Sequence, residues 1–262
     1  MSRPPAAPKR ELGQHFLADP NILDVAGRLA ELVPEDVVLE VGAGLGVLTA
    51  YLADRVAHVH AVELDRSLEA PLREALAGRE NVELVFGDAL ALPLGELDPP
   101  PGKLVANLPY QVATPLLAES LDGLPRVRLW TVMVQREVAD RLFAEPGTKA
   151  YGAVSVLVRL TAGRTGFHPV ARTVFRPPPN VDSALVAFMR TRDWGPEYRG
   201  VKRVVQAAFA HRRKTLANSV ELAGAASRSQ AAEALAELGR LPGARAEELA
   251  PEEFLRLAEL LA

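Results

Sequence analysis

Residues 37–52 read VVLEVGAGLGVLTAYL, and this stretch decides the fold. An apolar run, Val37–Val41, leads into Gly42-Ala43-Gly44-Leu45-Gly46 and then into a segment with helical spacing. Strands that end in closely spaced glycines are typical of nucleoside-binding α/β domains, because glycine adopts positive φ and lets the backbone approach a ligand. Val47 stands where the dinucleotide fingerprint Gly-x-Gly-x-x-Gly needs its third glycine. The stretch therefore predicts a nucleoside-binding turn that differs from the dinucleotide type.

The same unit, an apolar run followed by a turn and a helical pattern, recurs along residues 37–135. The further runs are Val56–Val62, Val82–Phe86, Leu104–Ala106 and Leu129–Val134, with helical candidates at Leu45–Leu52, Arg66–Ala77 and Thr114–Leu121. Runs with so little alternation indicate parallel strands that are buried on both faces. We therefore predict a doubly wound, mostly parallel α/β sheet that binds ligands at the carboxyl ends of its strands.

The pattern is less regular beyond residue 135. Arg136–Phe143 is predicted as a helix and Asp182–Met189 as a strand, whereas Val154–Leu160 fits either. After Trp194-Gly195-Pro196 the chain becomes rich in Ala, Glu and Leu with helical spacing. We therefore predict a catalytic domain over residues 1–195 and a small C-terminal helical domain over residues 196–262.

Composition narrows the class of protein. The 262 residues include no cysteine, which excludes disulfides and thiolate metal ligands. We expect no metal ion in the functional site of this protein. No apolar run approaches the roughly 18 residues of a membrane span. The start of the chain lacks the apolar core of a signal peptide. We therefore expect a cytoplasmic protein that does not associate with membranes.

Charge is distributed unevenly along the chain. The net charge is −3, yet the stretch from Pro146 to Lys214 holds 13 Lys or Arg and 3 acidic residues, a local net charge of +10. A basic stretch in an otherwise acidic protein indicates a surface for a polyanion such as nucleic acid, although solvated charge runs are common.

Polar residues follow successive predicted strands. Glu63 ends the second strand, where a carboxylate can accept hydrogen bonds from ribose hydroxyls of either S-adenosylmethionine or NAD. Asp88 follows the third strand and can accept from an adenine amino group, although helix capping is an alternative role. Together with the glycine turn, these residues predict a nucleoside cofactor at one edge of the sheet.

The fourth strand ends in Asn107-Leu108-Pro109-Tyr110. An adenine amino group is a poor nucleophile, because its lone pair is delocalised into the ring. The Asn107 amide oxygen and the Leu108 carbonyl can accept its two hydrogens and localise that lone pair, and Pro109 restricts the conformation of Leu108. Tyr110 offers a face on which a flipped-out base can stack. The motif therefore predicts methyl transfer to adenine without a general base.

These blocks resemble the KsgA/RsmA family of small-subunit (16S) rRNA adenine N6-dimethyltransferases, which are related to the Erm methylases. The resemblance rests on Gly13–Leu17, Glu40–Gly46, Glu63–Asp65, Asn107–Tyr110, Gln135–Arg141, Phe175–Ser183 and Phe209–Leu216, and so covers nearly the whole chain. It implies a Rossmann-like class I methyltransferase that uses S-adenosylmethionine and acts on two adjacent adenosines in a hairpin loop of 16S rRNA within the small ribosomal subunit. Asn180 departs from the family, in which Lys is common there.

The resemblance also implies residue roles. It implies cofactor contacts for Gln14, His15, Leu17, Gly42, Gly44, Glu63, Asp88 and Asn107. It implies that the catalytic pocket for the target adenine is formed by Asn107, Leu108, Tyr110 and Phe175, with Phe175 as the second aromatic wall. RNA binding is expected of Arg212, Arg213 and Lys214, at the end of a helix that starts near Val201. We expect the free protein to be a monomer.

Other functions remain open at this point. An Erm-type 23S rRNA methylase shares the fold and the chemistry. A DNA adenine methyltransferase usually has Asn/Asp-Pro-Pro-Tyr, so Leu108 disfavours it. A ribosome-assembly factor on an inactive scaffold is disfavoured by the intact Asn107–Tyr110 motif. A dehydrogenase is disfavoured by Val47 and by the lack of an obvious set of hydride-handling residues.

Overall fold

The computed structural model describes residues 14–17 and 19–262, so Gly13 of the first resemblance block lies outside it. The chain divides into two compact units. The first takes the chain up to Ala139 together with Arg164–Arg190, and the second comprises Asp140–Gly163 and Thr191–Ala262. Within the described ranges, no helix is long and apolar enough to cross a membrane.

A seven-stranded sheet, counted over the described residues, organises the first unit. Its strands are β2 (Val37–Val41), β3 (His58–Glu63), β4 (Val82–Phe86), β5 (Lys103–Asn107), β6 (Leu129–Gln135), β7 (Ala162–Val170) and β9 (Ser183–Arg190). They lie in the order β4-β3-β2-β5-β6-β9-β7. Strands β2 to β6 pair in parallel, and β9 runs antiparallel to β6. The order reverses between β2 and β5. A crevice at the carboxyl ends of these two strands is where such sheets bind ligands.

Helices α1 (Pro20–Leu29), α2 (Val47–Ala53), α3 (Glu69–Ala75) and α4 (Ala113–Gly123) belong to this unit, and α5 (Arg136–Leu142) follows β6. Helix α1 begins at Pro20, and the Asp19 side chain caps it by accepting from the Asn21 amide. A short antiparallel pair, β1 (Phe16–Leu17) and β8 (Phe175–Arg176), joins segments distant in sequence.

The predicted doubly wound sheet is confirmed. All five apolar runs form parallel strands, and the predicted strand near Asp182–Met189 is β9. Residues Ala153–Thr161, which fitted either state, form helix α6. The sequence did not predict α1, β1, β7 or β8. Strand β7 holds Gly163, Gly166 and Pro169, residues that are depleted in strands and hide the pattern.

The second unit is helical. Its helices are α6, α7 (Tyr198–Phe209), α8 (Leu216–Leu222), α9 (Arg228–Glu237) and α10 (Pro251–Leu260). The partition differs from the predicted boundary at residue 195, because Asp140–Gly163 and residues 191–195 belong to the second unit. The reason is that α6 buries most of its side chains and packs against α7 and α10. Tyr151, just before α6, is buried and donates a hydrogen bond of 2.9 Å to the Leu249 carbonyl.

Candidate active site

A cavity of the first unit lies at the carboxyl ends of β2, β3, β4 and β5. It is lined by the glycine turn, the segment around Phe16 and the residues that follow β3, β4 and β5. The structure thus brings together ten residues that were predicted from the sequence: Gln14, His15, Leu17, Gly42, Gly44, Glu63, Asp88, Asn107, Leu108 and Tyr110.

Two glycines of the turn allow close packing at the cavity wall. Gly42 and Gly44 have φ of +84° and +58°, values that residues with a Cβ rarely adopt. A Cβ on Gly42 would lie 3.0 Å from the Pro109 ring, and one on Gly44 would lie 3.1 Å from the Phe16 ring. The turn therefore needs glycine for its backbone conformation as well as for its packing.

The carboxylate of Glu63 is held in one orientation. Its Oε2 accepts a 2.8 Å hydrogen bond from the Gly44 amide, and its Oε1 accepts one of 2.8 Å from the Asp65 amide. The residue is only 6% exposed. Because each carboxylate oxygen has a second lone-pair site, Glu63 can still accept from two hydroxyl groups. Gln14 donates to Asp65 at 3.1 Å, which joins the segment before β1 to this wall.

Glu40 lies in the same cavity, and sequence reasoning did not select it. It is 1% exposed, and its Oε2 has no hydrogen-bond partner in the described part of the chain. Burial raises the pKa of Glu40 to about 8, and the nearby Glu63 carboxylate acts in the same direction. The signal was an acidic residue inside an otherwise apolar buried strand. At neutral pH this carboxyl group is protonated, so it can donate a hydrogen bond.

The Asn107-Leu108-Pro109-Tyr110 segment is positioned by bonds at both ends. The Asn107 Nδ2 donates to the His15 carbonyl at 3.1 Å, and the Leu108 amide donates to the Met133 carbonyl at 3.0 Å. The hydroxyls of Tyr110 and Ser183 are 2.7 Å apart. Burial raises the pKa of the Tyr110 hydroxyl, although the bond with Ser183 lowers it in part. Because the Asn107 nitrogen donates to the His15 carbonyl, the Asn107 amide oxygen is turned away from His15 and is available as an acceptor.

Asp88 and His15 also contact neighbouring loops. The Asp88 Oδ1 accepts from the Leu90 amide at 2.9 Å, so this carboxylate caps a turn while it lines the cavity. The His15 ring lies 5.6 Å from the Tyr110 ring, and its Nδ1 donates to the Pro177 carbonyl at 2.8 Å. The capping role and the predicted binding role of Asp88 are compatible, because one carboxylate oxygen remains for a ligand.

Phe175 is placed differently from the prediction. It is fully buried in the apolar core, where it pairs with Leu17 across β1 and β8, and it does not line the cavity. A ring that packs on all sides presents no face to a base. In this structure Phe175 is therefore a buried core residue outside the cavity, and its role as a second aromatic wall stays a prediction.

The predicted RNA-binding residues lie in the second unit, in the turn after α7. Arg212 donates to the carbonyls of Lys149 and Tyr151 at 3.1 and 3.2 Å, and it lies 3.7 Å from Glu247. All three residues, Arg212, Arg213 and Lys214, are exposed. Arg212 therefore has a structural role that its sequence context did not reveal.

The fold and the cavity together define a Rossmann-like methyltransferase. The family model described as ribosomal RNA adenine dimethylase matches residues 7–262. The chain belongs to the ribosomal RNA adenine dimethylase family.

Individual relatives agree with this membership. The chain is 48% identical to the ribosomal RNA small subunit methyltransferase A of Rubrobacter xylanophilus, over 95% of this chain and 94% of the relative. A dimethyladenosine transferase from Plasmodium falciparum has a similar structure, with a TM-score of 0.72, 25% identity and coverage of 93% and 96% of the two chains. The 23S rRNA methyltransferase ErmE has a TM-score of 0.64 and 31% identity, with coverage of 94% and 99%.

Proposed function

We propose that this protein transfers methyl groups from S-adenosylmethionine to the N6 amino groups of two adjacent adenosines in a hairpin loop near the 3′ end of 16S rRNA. The product is N6,N6-dimethyladenosine, and the reaction belongs to maturation of the small ribosomal subunit. The observation that carries the proposal is the orientation of Asn107, whose amide nitrogen is bound to His15 and whose oxygen is left as an acceptor in the cavity.

The cavity suits the cofactor in charge and shape. Glu63 retains acceptor capacity for two ribose hydroxyls, and Asp88 retains an oxygen for an adenine amino group. Gly42 and Gly44 present backbone without side chains, and Gln14, His15 and Leu17 line the same cavity. When bound, S-adenosylmethionine supplies an electrophilic methyl group on a sulfonium. NAD fits the chain less well, because Val47 replaces the third glycine of its fingerprint.

The residues after β5 would activate the target base. The Asn107 amide oxygen and the Leu108 carbonyl accept hydrogens of the N6 amino group, so its lone pair is localised and directed. Tyr110, oriented by Ser183, gives a face for stacking and stabilises the positive charge that develops on nitrogen. The proton is lost to solvent after methylation, so no side chain must serve as a base. The positioning of the target base against the methyl donor accounts for most of the rate enhancement.

The same arrangement permits a second transfer. A monomethylated amino group keeps one hydrogen for one acceptor and a lone pair that can react again. Since no general base is consumed, nothing in the mechanism stops after one methyl group. This supports the dimethylated product, and the family supports rRNA as the substrate.

The small-subunit target is favoured by the Rubrobacter relative, which is named a small subunit methyltransferase. The proposed partner is 16S rRNA in the small subunit or its precursor, bound with help from Arg212, Arg213 and Lys214, and the site of action is the cytoplasm. The free protein is proposed to be a monomer. The similarity to ErmE makes 23S rRNA the second candidate substrate.

The deciding experiment offers undermethylated small subunits, large subunits and DNA to the protein in parallel, with labelled methyl donor. Nuclease digestion and mass spectrometry then identify the product. We expect N6,N6-dimethyladenosine at two neighbouring positions of the small-subunit rRNA. Monomethyladenosine alone, or dimethyladenosine confined to large-subunit rRNA, would assign the protein to the Erm-type reaction.

A further inference from the structure

Three side chains with metal-binding atoms meet at the other end of strand β3. His58 and His60 lie two residues apart on β3, so they project to the same face, and Glu83 lies opposite His60 on β4. Their nearest nitrogen and oxygen atoms all lie within 4.8 Å of one another. His58 begins the strand, whereas Glu63, which lines the cavity, ends it. This cluster is therefore separate from the proposed active site.

The hydrogen bonds of His60 determine which of its nitrogens faces the cluster. Its Nε2 lies 2.8 Å from the Pro99 carbonyl oxygen. A carbonyl only accepts, so this nitrogen carries a hydrogen and donates it. The Nδ1 atom lies 2.7 Å from the Glu83 carboxylate, so the two atoms share a hydrogen-bonded proton that a bound ion would displace. Metal-bound histidines show this arrangement, in which one ring nitrogen donates to a backbone carbonyl and the other is directed at the metal.

His58 offers a second nitrogen. Its Nε2 is buried and has no hydrogen-bond partner among residues 14–17 and 19–262. The Glu83 Oε2 lies 3.9 Å from this nitrogen, which is too far for a hydrogen bond. A buried nitrogen without a partner is unfavourable, and a bound cation would satisfy it.

The spacing of these atoms suits a first-row metal. Bonds of about 2.0–2.2 Å in tetrahedral geometry place neighbouring ligand atoms about 3.3–3.5 Å apart. The separations from Glu83 Oε2 to the two histidine nitrogens, 2.7 and 3.9 Å, lie on either side of this value, and all three ligand atoms lie within 4.8 Å of one another, so side-chain rotations would bring them to one ion. The side chain of Glu83 is 50% exposed, which gives an ion access from solvent.

We propose that His58, His60 and Glu83 form a binding site for a divalent transition metal of the zinc type, with one coordination position open to water. Two imidazoles and one carboxylate favour Zn²⁺ over Ca²⁺ and Mg²⁺, which prefer oxygen ligands alone. Strand β4 is an outer strand of the sheet, so the ion would fasten this edge to β3. The expected role is stabilisation of the first unit.

The sequence predicted no metal, because the third ligand is not local. His58 and His60 are visible as a pair with the alternation of a strand, but Glu83 joins them only through the register of β3 and β4. A pair of histidines on a buried strand is not sufficient to indicate a metal site.

The test uses untagged full-length protein after treatment with a chelator. Calorimetric titration with Zn²⁺ should show one saturable site per chain, and Co²⁺ should give the visible absorption of a low-coordinate complex. His58→Gln and Glu83→Gln should each weaken Zn²⁺ binding roughly 100-fold or more and remove the Co²⁺ absorption. His168→Gln, which removes a histidine from β7, should leave both unchanged and serves as the matched control.

Thermal melting shows whether a variant that has lost Zn²⁺ binding is still folded. The metal-free His58→Gln and Glu83→Gln proteins should melt cooperatively, which shows that they are folded, and only the original protein and His168→Gln should gain melting temperature on addition of Zn²⁺. Absence of saturable Zn²⁺ binding to the original protein, or equal affinity in folded His58→Gln, would overturn the proposal.

Discussion

The Asn107 side-chain nitrogen donates a 3.1 Å hydrogen bond to the His15 carbonyl, which joins β5 to the segment before β1. A backbone carbonyl is only an acceptor, so this contact selects one orientation of the amide and points its oxygen away from His15. The residue that is proposed to activate the base is therefore oriented before substrate arrives.

Replacement of Asn107 tests this orientation. Asn107→Ala removes the acceptor and should lower the rate of methyl transfer by about 100-fold or more, as loss of preorganised hydrogen bonds does in other enzymes. Single-turnover assays on small subunits measure the effect. Asn180→Ala, which truncates an exposed residue of the same type, should retain the original rate. A rate within a few-fold of the original for Asn107→Ala would contradict the proposed activation.

Two variants of Tyr110 distinguish the contribution of its aromatic face from that of its hydroxyl group. Tyr110→Phe loses the 2.7 Å bond with Ser183 but keeps the aromatic face, so most of the rate should remain. Tyr110→Ala loses a stacking contribution of about 1–3 kcal/mol and should be about 10- to 100-fold slower. The comparison is made by kcat/KM for RNA. Equal loss in both variants would show that the hydroxyl, and not the ring face, is essential.

Glu63 should control the affinity for the cofactor. Calorimetry is expected to show saturable binding of S-adenosylmethionine and none of NAD. Glu63→Gln weakens acceptance from ribose hydroxyls and should raise the Kd for S-adenosylmethionine by about 10- to 100-fold, the effect of losing charge-assisted hydrogen bonds. The control is Glu69→Gln on α3, whose carboxylate pairs with exposed Arg73. Saturable binding of NAD alone would reverse the cofactor assignment.

Glu40 should give the protein a pH-dependent stability. The folded pKa of about 8 lies above the ordinary value of 4.5, so between these pH values the unfolded carboxyl is ionised and the folded one is protonated. Unfolding releases a proton there, and the free energy of unfolding from this group falls as pH rises, by up to about 1.4 kcal/mol per pH unit. The contribution is complete below 4.5 and is lost above about 8.

Urea denaturation at a series of pH values measures this effect. Glu40→Gln places a neutral group of the same shape at the site, so its stability curve should be flatter than the original across this range. Parallel curves for the two proteins would mean that Glu40 is already ionised in the folded state at neutral pH.

The cations after α7 should separate into two kinds. Arg213→Ala and Lys214→Ala together should raise the KM for RNA, leave the KM for S-adenosylmethionine unchanged, and reduce the dependence of log K on log salt by roughly 1–2 units. Arg126→Ala, an exposed arginine outside the basic stretch, serves as the control. An unchanged salt dependence in the double variant would exclude phosphate contacts by these residues.

Arg212→Ala should act differently, because Arg212 donates to the carbonyls of Lys149 and Tyr151. We expect a lower melting temperature in addition to any change in RNA binding. A melting temperature equal to that of the original protein would contradict the structural role.

The parallel strands were predictable from sequence, because each is a continuous apolar run that needs no knowledge of its neighbours. The cavity was predictable for the same reason, since Glu63, Asp88 and Asn107 each follow such a run and parallel strands end at one edge. Pairing between distant segments was not predictable. Strands β1 and β8 lie about 160 residues apart, and their pairing places Phe175 in the core.

Environment accounts for the other differences. Glu40 lies in a strand that was predicted to be buried on both faces, but the raised pKa depends on the complete burial of its own side chain and on the nearby Glu63 carboxylate, which the strand pattern does not give. Arg212 was grouped with its two basic neighbours, although its carbonyl partners lie about 60 residues away. Both differences depend on residues that are close in space but distant in sequence, and a local sequence pattern carries no information on such neighbours.

The second unit is built from two separate segments of the chain, and this affects how the protein folds during its synthesis. Helix α6 leaves the ribosome before β8 and β9, yet the helices that cover it, α7 and α10, are translated later. Domains generally fold as they emerge, but here the apolar faces of α6 must wait until α7 and α10 have been made. A nascent chain that has emerged from the ribosome as far as the end of β9 would therefore have its sheet strands complete and an uncovered apolar helix, the kind of surface that chaperones bind.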